Sequence, residues 1–476
     1  MRLHILGICG TFMGGVAVLA RALGNAVEGS DQNVYPPMST QLQALGITLR
    51  QGYLAEHLQP APDQVVVGNA MKRGMPAVEY MLDAQLPYIS GPQWLGEIVL
   101  PGREVLAVAG THGKTTTSSL LAHLLDQDGR APGFLIGGVP GNFGVSARLG
   151  GSGASSGGPS AAASSAMAAP FVIEADEYDT AFFDKRSKFV HYRPRIAILN
   201  NLEFDHADIF PDVAAIQRQF HHLVRTVPGN GRIIVNAEDP RLAEVLSMGC
   251  WTAVETFGIE AGHWRAHLKQ DDGSHFEVRR GDTVLGEVRW SLLGRHNVMN
   301  ALAALAAAAA YGCDAAALLP LFASFANVKR RMEVIGTVEG VHIYDDFAHH
   351  PTAIATTLDG LRARVGDARI LVALEPRSNS MRQGVHADAL APSLAEADQV
   401  LFLQRAGLAW DAGKMTRALA GRGHVAPSVD ALLEALNFAV RPGDHVVFMS
   451  NGGFEDAPRR FAAALRAQPP GSPAPG

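Results

Sequence analysis

The sequence predicts an α/β protein of three doubly wound units: an N-terminal Rossmann-like unit, a central P-loop ATPase-like unit with a small antiparallel sheet, and a C-terminal Rossmann-like unit. Three observations carry this. Short apolar runs alternate with helix-length stretches along the 476 residues, the pattern of parallel sheets with crossover helices. Several runs end in glycines or clustered polar residues, where an open α/β sheet presents its ligand crevice. Turn residues Gly91-Pro92 and Pro101-Gly102, and a fresh strand pattern from Val328, divide the chain into 1–102, 103–327 and 328–476.

In the first unit, a short strand after His4 meets Gly7, Gly10, Gly14 and Gly15 in a glycine turn. A helix over 16–23 and a strand ending at Ser30 and Asp31 follow, completing a mononucleotide-binding βαβ unit. The spacing GxxGxxxG departs from the dinucleotide fingerprint. Further parallel strands are expected at 65–70 and 87–90, ending at Asn69 and Ser90.

The second unit opens on the apolar run 105–109, then Gly110, Thr111, His112, Gly113, Lys114, Thr115 and Thr116, then a helix. Glycines let backbone N–H groups close around an anion, and the helix N-terminus adds its dipole. Lys114 can reach β/γ-phosphates and the Thr115 hydroxyl can bind Mg²⁺, so this loop predicts a nucleoside triphosphate. A strand is expected at 134–138. Residues 150–170, almost wholly Gly, Ser, Ala and Pro, read as a flexible insertion without catalytic residues.

The strand 171–175 delivers Glu174, Asp176, Glu177 and Asp179 beside the P-loop, where carboxylates commonly hold Mg²⁺; a solvated acidic loop is the bland alternative. The strand 195–199 brings Asn200, Asn201, Asp205 and His206 to the same edge. A helix at 216–224 and a strand at 232–236 follow, then hairpins over 265–292 beside the main sheet. His296, Asn297 and Asn300 open an alanine-rich helix. They could read a purine edge; equally they could be helix caps. In the third unit, Arg331 precedes a strand pair ending at Asp345, and Pro351 starts a helix to about Val365. Strands follow at 369–374, 399–403 and 445–449, and the strand-end residues Arg377, Ser380 and Asn451 are expected to face a crevice. The tail 468–476 is expected to fray.

Composition excludes several classes. A net charge of −6 offers no general attraction for nucleic acid or a membrane surface, and no apolar stretch is long enough to span a bilayer. Cys9, Cys250 and Cys313 form no CxxC pair and fit a reducing cytoplasm. The N-terminal glycine unit leaves an NAD-dependent oxidoreductase open. A nucleotide-sensing scaffold is the non-catalytic alternative. The sequence assigns no oligomeric state.

Gly110-Thr-His-Gly-Lys-Thr-Thr, Glu174-Ala-Asp-Glu, Gly294-Arg-His-Asn-Val-Met-Asn and Asp345-Asp-Phe-Ala-His-His-Pro together resemble the Mur ligases, in that order and over nearly the whole chain. The stretches Gly10-Thr-Phe-Met-Gly-Gly, Val34-Tyr-Pro-Pro-Met38, 179–192, Leu202-Glu-Phe-Asp-His206-Ala-Asp208 and Glu375-Pro-Arg-Ser-Asn-Ser resemble the branch that adds murein tripeptide rather than L-alanine. The resemblance implies that ATP activates the lactyl carboxylate of UDP-N-acetylmuramate as an acyl phosphate. The amine of L-alanyl-γ-D-glutamyl-meso-diaminopimelate then captures it, in peptidoglycan recycling. The alternative is the L-alanine-adding ligase of primary wall synthesis.

The resemblance further implies catalytic roles for Lys114, Glu174 and His206, with Thr115 and Glu174 on one Mg²⁺ and His206 on a second. Adenine would meet Asn297 with His296 or Asn300, and Arg331 and Asp345 would close over ATP. Gly14, Ser30, Asp31, Asn69 and Ser90 would serve the UDP-sugar, and Arg377 and Ser380 the peptide carboxylates. Many Mur ligases also carry a carbamylated lysine on Mg²⁺; here no lysine lies between Lys188 and Lys269. The L-alanine-adding branch likewise lacks it.

Overall fold

Apolar runs with polar ends build three open sheets in the computed structural model, which describes residues 1–34, 38–151, 169–207 and 209–467. Residues 152–168 of the expected insertion, the tail 468–476, residues 35–37 and Asp208 lie outside the described residues.

The first sheet contains β1 (Arg2–Leu6), β2 (Ala26–Asp31), β3 (Thr48–Gln51), β4 (Gln64–Val67) and β5 (Tyr88–Ser90). All pairs are parallel and the order is β3-β2-β1-β4-β5. The strand order reverses between β1 and β4, so a crevice opens at their carboxyl ends. The helix after β1 runs Thr11–Ala22, earlier than expected, and takes Gly14 and Gly15 out of the turn. Their small size serves packing. A Cβ on Gly14 would lie 2.5 Å from Met38 Sδ, and one on Gly15 would lie 3.2 Å from Leu135 in the second unit. The edge strand β3 escaped sequence reading because it is short and no residue of it is buried.

The second unit holds β6 (Glu104–Ala109), β7 (Gly133–Leu135), β8 (Ala147–Arg148), β9 (Pro170–Glu174), the separate hairpin β10 (Asp179–Ala181) and β11 (Asp184–Ser187), β12 (Ile196–Leu199), β13 (Arg232–Asn236), β14 (Val254–Gly258), β15 (Trp264–Leu268), β16 (His275–Arg280) and β17 (Thr283–Arg289). Apart from the β10–β11 hairpin, they form one sheet in the order β17-β16-β15-β14-β13-β12-β6-β9-β7-β8. The antiparallel strands therefore extend the main sheet through a parallel β14–β15 contact instead of lying beside it. Parallel pairing of β6 with both β9 and β12 brings the glycine loop, the acidic cluster and the asparagine pair to one edge. The helix Arg295–Tyr311 packs on the helix Lys114–Gln127 and on β12 to β15; its alanines at 303, 304, 306 and 307 are fully buried, which lets the backbones approach closely.

The third sheet comprises β18 (Glu333–Val338), β19 (Val341–Asp346), β20 (Ile370–Leu374), β21 (Gln399–Leu403), β22 (Gly423–Ala426) and β23 (His445–Met449). Their order is β18-β19-β23-β20-β21-β22, with only β18 antiparallel. Its first helix, Pro351–Val365, has the expected bounds. Gly360 in that helix rides on Gly294, where a Cβ would come within 2.7 Å of backbone, so the third unit sits against the start of the alanine-rich helix.

One apolar core runs unbroken from the first unit into the second: Ile5, Trp94 and Leu100 share it with Val105, Phe189 and Leu199. Among the described residues no helix is long and apolar enough to cross a membrane. Gly96 marks the seam between these units, since a Cβ there would fall 2.3 Å from the carbonyl oxygen of His191. Backbone cannot retreat as a side chain can, so Gly96→Ala is expected to cost about 1–3 kcal/mol. A urea titration checks this through a lowered unfolding midpoint.

Candidate active site

The glycine loop needs the conformations only glycine adopts freely: Gly110 has φ +151° and Gly113 has φ +79°. The segment after β12 holds it in place. Thr111 N–H donates to the Asn201 carbonyl at 3.1 Å, and His112 N–H donates to Asn201 Oδ1 at 2.8 Å. Asn200 Nδ2 donates to Thr117 Oγ1 at 2.9 Å, and that hydroxyl donates to Asn300 Oδ1 at 3.0 Å. The loop is thus braced from two elements before any ligand arrives.

Lys114 follows the loop into a buried acidic setting. Its Nζ donates to the Gly110 carbonyl at 2.6 Å and to Glu177 Oε2 at 3.1 Å, and lies 3.9 Å from Asp176. Burial disfavours the ammonium, but Glu177, Asp176 and Glu174 outweigh that and hold its pKa above the usual lysine value. Glu174, at the end of β9, accepts from Thr115 Oγ1 at 3.0 Å and from Gly137 N–H at 2.6 Å. Burial first, and the Asp176 charge second, push the Glu174 carboxyl up from its ordinary value. A Cβ on Gly137 would meet that carboxylate at 2.8 Å, so glycine is required there for the approach. Asp176 and Glu177 are therefore not a solvated acidic loop: Glu177 is 2% exposed, and Asp176 pairs with Lys188 at 3.3 Å.

Sequence reasoning missed Lys188. Its ammonium lies 4.2 Å from the ring centre of Tyr178 and 5.0 Å from that of Phe12, linking the first unit to the acidic cluster. The only local signal was a lysine directly before the apolar pair Phe189-Val190. His206 has φ +53° and sets Nε2 3.5 Å from Glu177 Oε1, which brings it to the same cluster from the end of β12.

The third unit completes the site. Arg331 Nη2 approaches Thr115 Oγ1 at 3.5 Å, its guanidinium 4.7 Å over the Phe347 ring. Ser380 Oγ donates to Asp205 Oδ1 at 2.8 Å across the units. A pocket of about 310 Å³ opens there, lined by Asp205, His206, His349, Arg377, Ser380 and Asn451 among others. The sequence placed Asp205 at this edge without a role and gave His349 none. His206 and hydrogen bonds from its backbone and from Ser380 overcome burial and keep Asp205 well below the usual carboxylate range.

Several expected ligand contacts are turned inward. Ser30 is fully buried, its hydroxyl held by His4 Nε2 at 2.8 Å and His57 Nδ1 at 3.0 Å. Ser90 is fully buried and caps the helix Gly91–Trp94, and Gly14 packs under Met38. Asp31 accepts from the Cys9 and Asn33 backbone N–H groups, both at 2.9 Å, shaping the turn; Asn69 is exposed at the end of β4. Asn300 is spent on Thr117 and Asn297, and Asn297 donates to the Leu293 carbonyl at 2.7 Å, so these two brace the loop. His296 keeps a buried Nδ1 with no partner among the described residues, and burial with Arg331 nearby lowers its pKa to about 4, leaving the ring neutral. Asp345 pairs with Arg330 at 3.2 Å, and none of its contacts among the described residues reaches the glycine loop. Burial at the end of β19 thus sets the Asp345 carboxylate against the Arg330 guanidinium.

Comparison with known proteins matches three family models along the chain: Mur ligase family, catalytic domain, over residues 2–103; Mur ligase middle domain over 108–308; and Mur ligase, glutamate ligase domain, over 330–452. A UDP-N-acetylmuramate–L-alanyl-γ-D-glutamyl-meso-2,6-diaminoheptandioate ligase of Escherichia coli K12 is 55% identical, covering 95% of this chain and 96% of that protein. A UDP-N-acetylmuramate–L-alanine ligase of Roseiflexus castenholzii is 34% identical over 80% of this chain and 78% of its own. The crystal structure of a murein peptide ligase from Psychrobacter arcticus superposes with a TM-score of 0.75 at 49% identity, over 98% of this chain and 99% of that one. With all three family regions matched in order and this identity along nearly its full length, the chain belongs to the Mur ligase family.

Proposed function

We propose that this ATP-dependent ligase joins UDP-N-acetylmuramate to L-alanyl-γ-D-glutamyl-meso-diaminopimelate, releasing ADP and phosphate, as named for the relative 55% identical to it. The observation that carries the reading is the pocket where His206 and Asp205 of the second unit meet Arg377 and Ser380 of the third. An exposed guanidinium at its mouth suits a peptide bearing several carboxylates. The L-alanine ligases, at 34% identity and below among the relatives compared, are the second reading. ATP and a sugar nucleotide are cytoplasmic compounds, so the reaction belongs there.

The three units divide the work, with boundaries near 102 and 327. The crevice at β1 and β4, with Asn69 exposed and Asp31 shaping the turn, would hold the UDP-sugar. The loop from Gly110 to Thr116 holds ATP phosphates, and the neutral His296 ring stands beside it for the base. Lys114 faces charge developing on the transferred phosphoryl, in a buried setting where such an interaction is strong. Thr115 Oγ1 and Glu174 form an oxygen donor pair at 3.0 Å, with Asp176 and Glu177 adding negative charge, and this set fits Mg²⁺. Held by Thr115 and Glu174, Mg²⁺ would supply positive charge against the repulsion between carboxylate and phosphate; His206 would hold a second ion. Arg331 carries positive charge to Thr115 only when the third unit is docked, so closure completes the site.

Purified protein given ATP, Mg²⁺, UDP-N-acetylmuramate and either tripeptide or L-alanine decides between the readings through ADP release. Tripeptide is the expected substrate, and preference for L-alanine would move the chain to the other branch. An NAD-dependent activity would leave ATP untouched, and a sensing scaffold would bind it without substrate-dependent turnover. Lys114→Ala should lower kcat by about 10²–10³-fold with UDP-sugar affinity retained, since the sugar sits on another unit; calorimetry checks the second half. His206→Ala should raise the Mg²⁺ concentration needed for half-maximal rate, as a metal titration will show. Arg377→Ala should raise KM for tripeptide by about 10–100-fold, the value of one charged hydrogen bond, while KM for ATP holds.

A further inference from the structure

Beside the acidic cluster, and sharing only His112 with the glycine loop, a second group of ligand atoms converges. His112 Nε2 lies 3.2 Å from Glu203 Oε2, and His350 Nδ1 lies 3.4 Å from the same oxygen. All three ligand atoms fall within 4.8 Å of one another. Zinc bound tetrahedrally at about 2.0–2.1 Å holds neighbouring donor atoms about 3.3 Å apart, close to both measured spacings. We propose that His112, Glu203 and His350 form a binding site for a borderline divalent cation of the zinc class. Two imidazoles and one carboxylate select such a cation over hard Mg²⁺, which prefers oxygen alone.

The surroundings fit a built site. His350 is 6% exposed, and its ring stands 4.6 Å from that of His112. Thr352 Oγ1 donates to Glu203 Oε2 at 2.7 Å, fixing the carboxylate as outer-shell partners of metal ligands do. His386 meets His350 edge-on at 4.4 Å; His350 Nδ1 accepts from Thr352 N–H at 3.3 Å while the site is empty and would exchange that bond for the cation.

The site joins two units. His112 belongs to the glycine loop and Glu203 to the segment after β12, whereas His350 caps the first helix of the third unit. An ion held by all three ties that unit to the loop and favours the docked arrangement.

The test uses the full chain, freed of metal by chelation and kept without ATP, titrated with Co²⁺ and followed by visible absorption. One equivalent of Co²⁺ with tetrahedral bands, displaced by Zn²⁺ and not by Mg²⁺, is expected. His350→Asn preserves the helix cap and should weaken Co²⁺ binding by at least about tenfold; Glu203→Gln, which keeps an acceptor for Thr352, should do the same. His206→Ala should leave the bands unchanged. Bands absent from the parent protein, surviving both site variants, or lost with His206 would each overturn the assignment.

Discussion

The structure depends on holding two ammonium groups and three carboxyl groups together in a place where water is scarce. Lys114, Lys188, Glu174, Asp176 and Glu177 meet where β6, β9 and the hairpin after it converge. Each charge alone would be costly to bury, and removing any one partner leaves another uncompensated. The sheet must therefore hold its strand ends in strict register, which the paired β12-β6-β9 core achieves with fully buried aliphatic side chains. Stability and electrostatic preorganisation are here the same requirement.

That requirement propagates outward. Asn201 holds the Thr111 and His112 N–H groups, and Asn200 and Asn300 hold Thr117 behind them, so the loop backbone is braced from two elements. Lys188 reaches across to Phe12, which couples the acidic cluster to the unit assigned to the sugar nucleotide. The first two units share one core, whereas the third has cores of its own and meets the second through contacts that include the polar pairs Ser380 to Asp205, Thr352 to Glu203, and Arg364 to Asp272. Polar contacts of this kind open and reform more readily than a shared apolar core, which suits a unit that must admit and release ligands.

Much of this was legible before the fold. The strands at β6, β9, β12, β13, β19 and β23 are apolar runs with polar ends, and local periodicity suffices to find them. The Gly-Lys-Thr loop and the acidic strand end declared themselves because their chemistry needs particular residues at particular spacing. The surroundings of the first-unit candidates were less legible. Ser30 and Ser90 stand at strand ends, where sequence alone cannot tell a side chain facing a crevice from one engaged with a neighbour such as His57 or Gln93. Asp345 likewise sits at a strand end, where it pairs with Arg330.

By itself the sequence determined the order of units, the nucleotide loop and the family resemblance, because each is written in contiguous residues. Tertiary structure alone decided that Asp205 pairs with Ser380, that Lys188 completes the acidic cluster, and that His112, Glu203 and His350 converge. These residues lie up to 238 positions apart in the chain. Only the packing of one sheet against another fixes which of the many possible distant pairs come within a few ångströms.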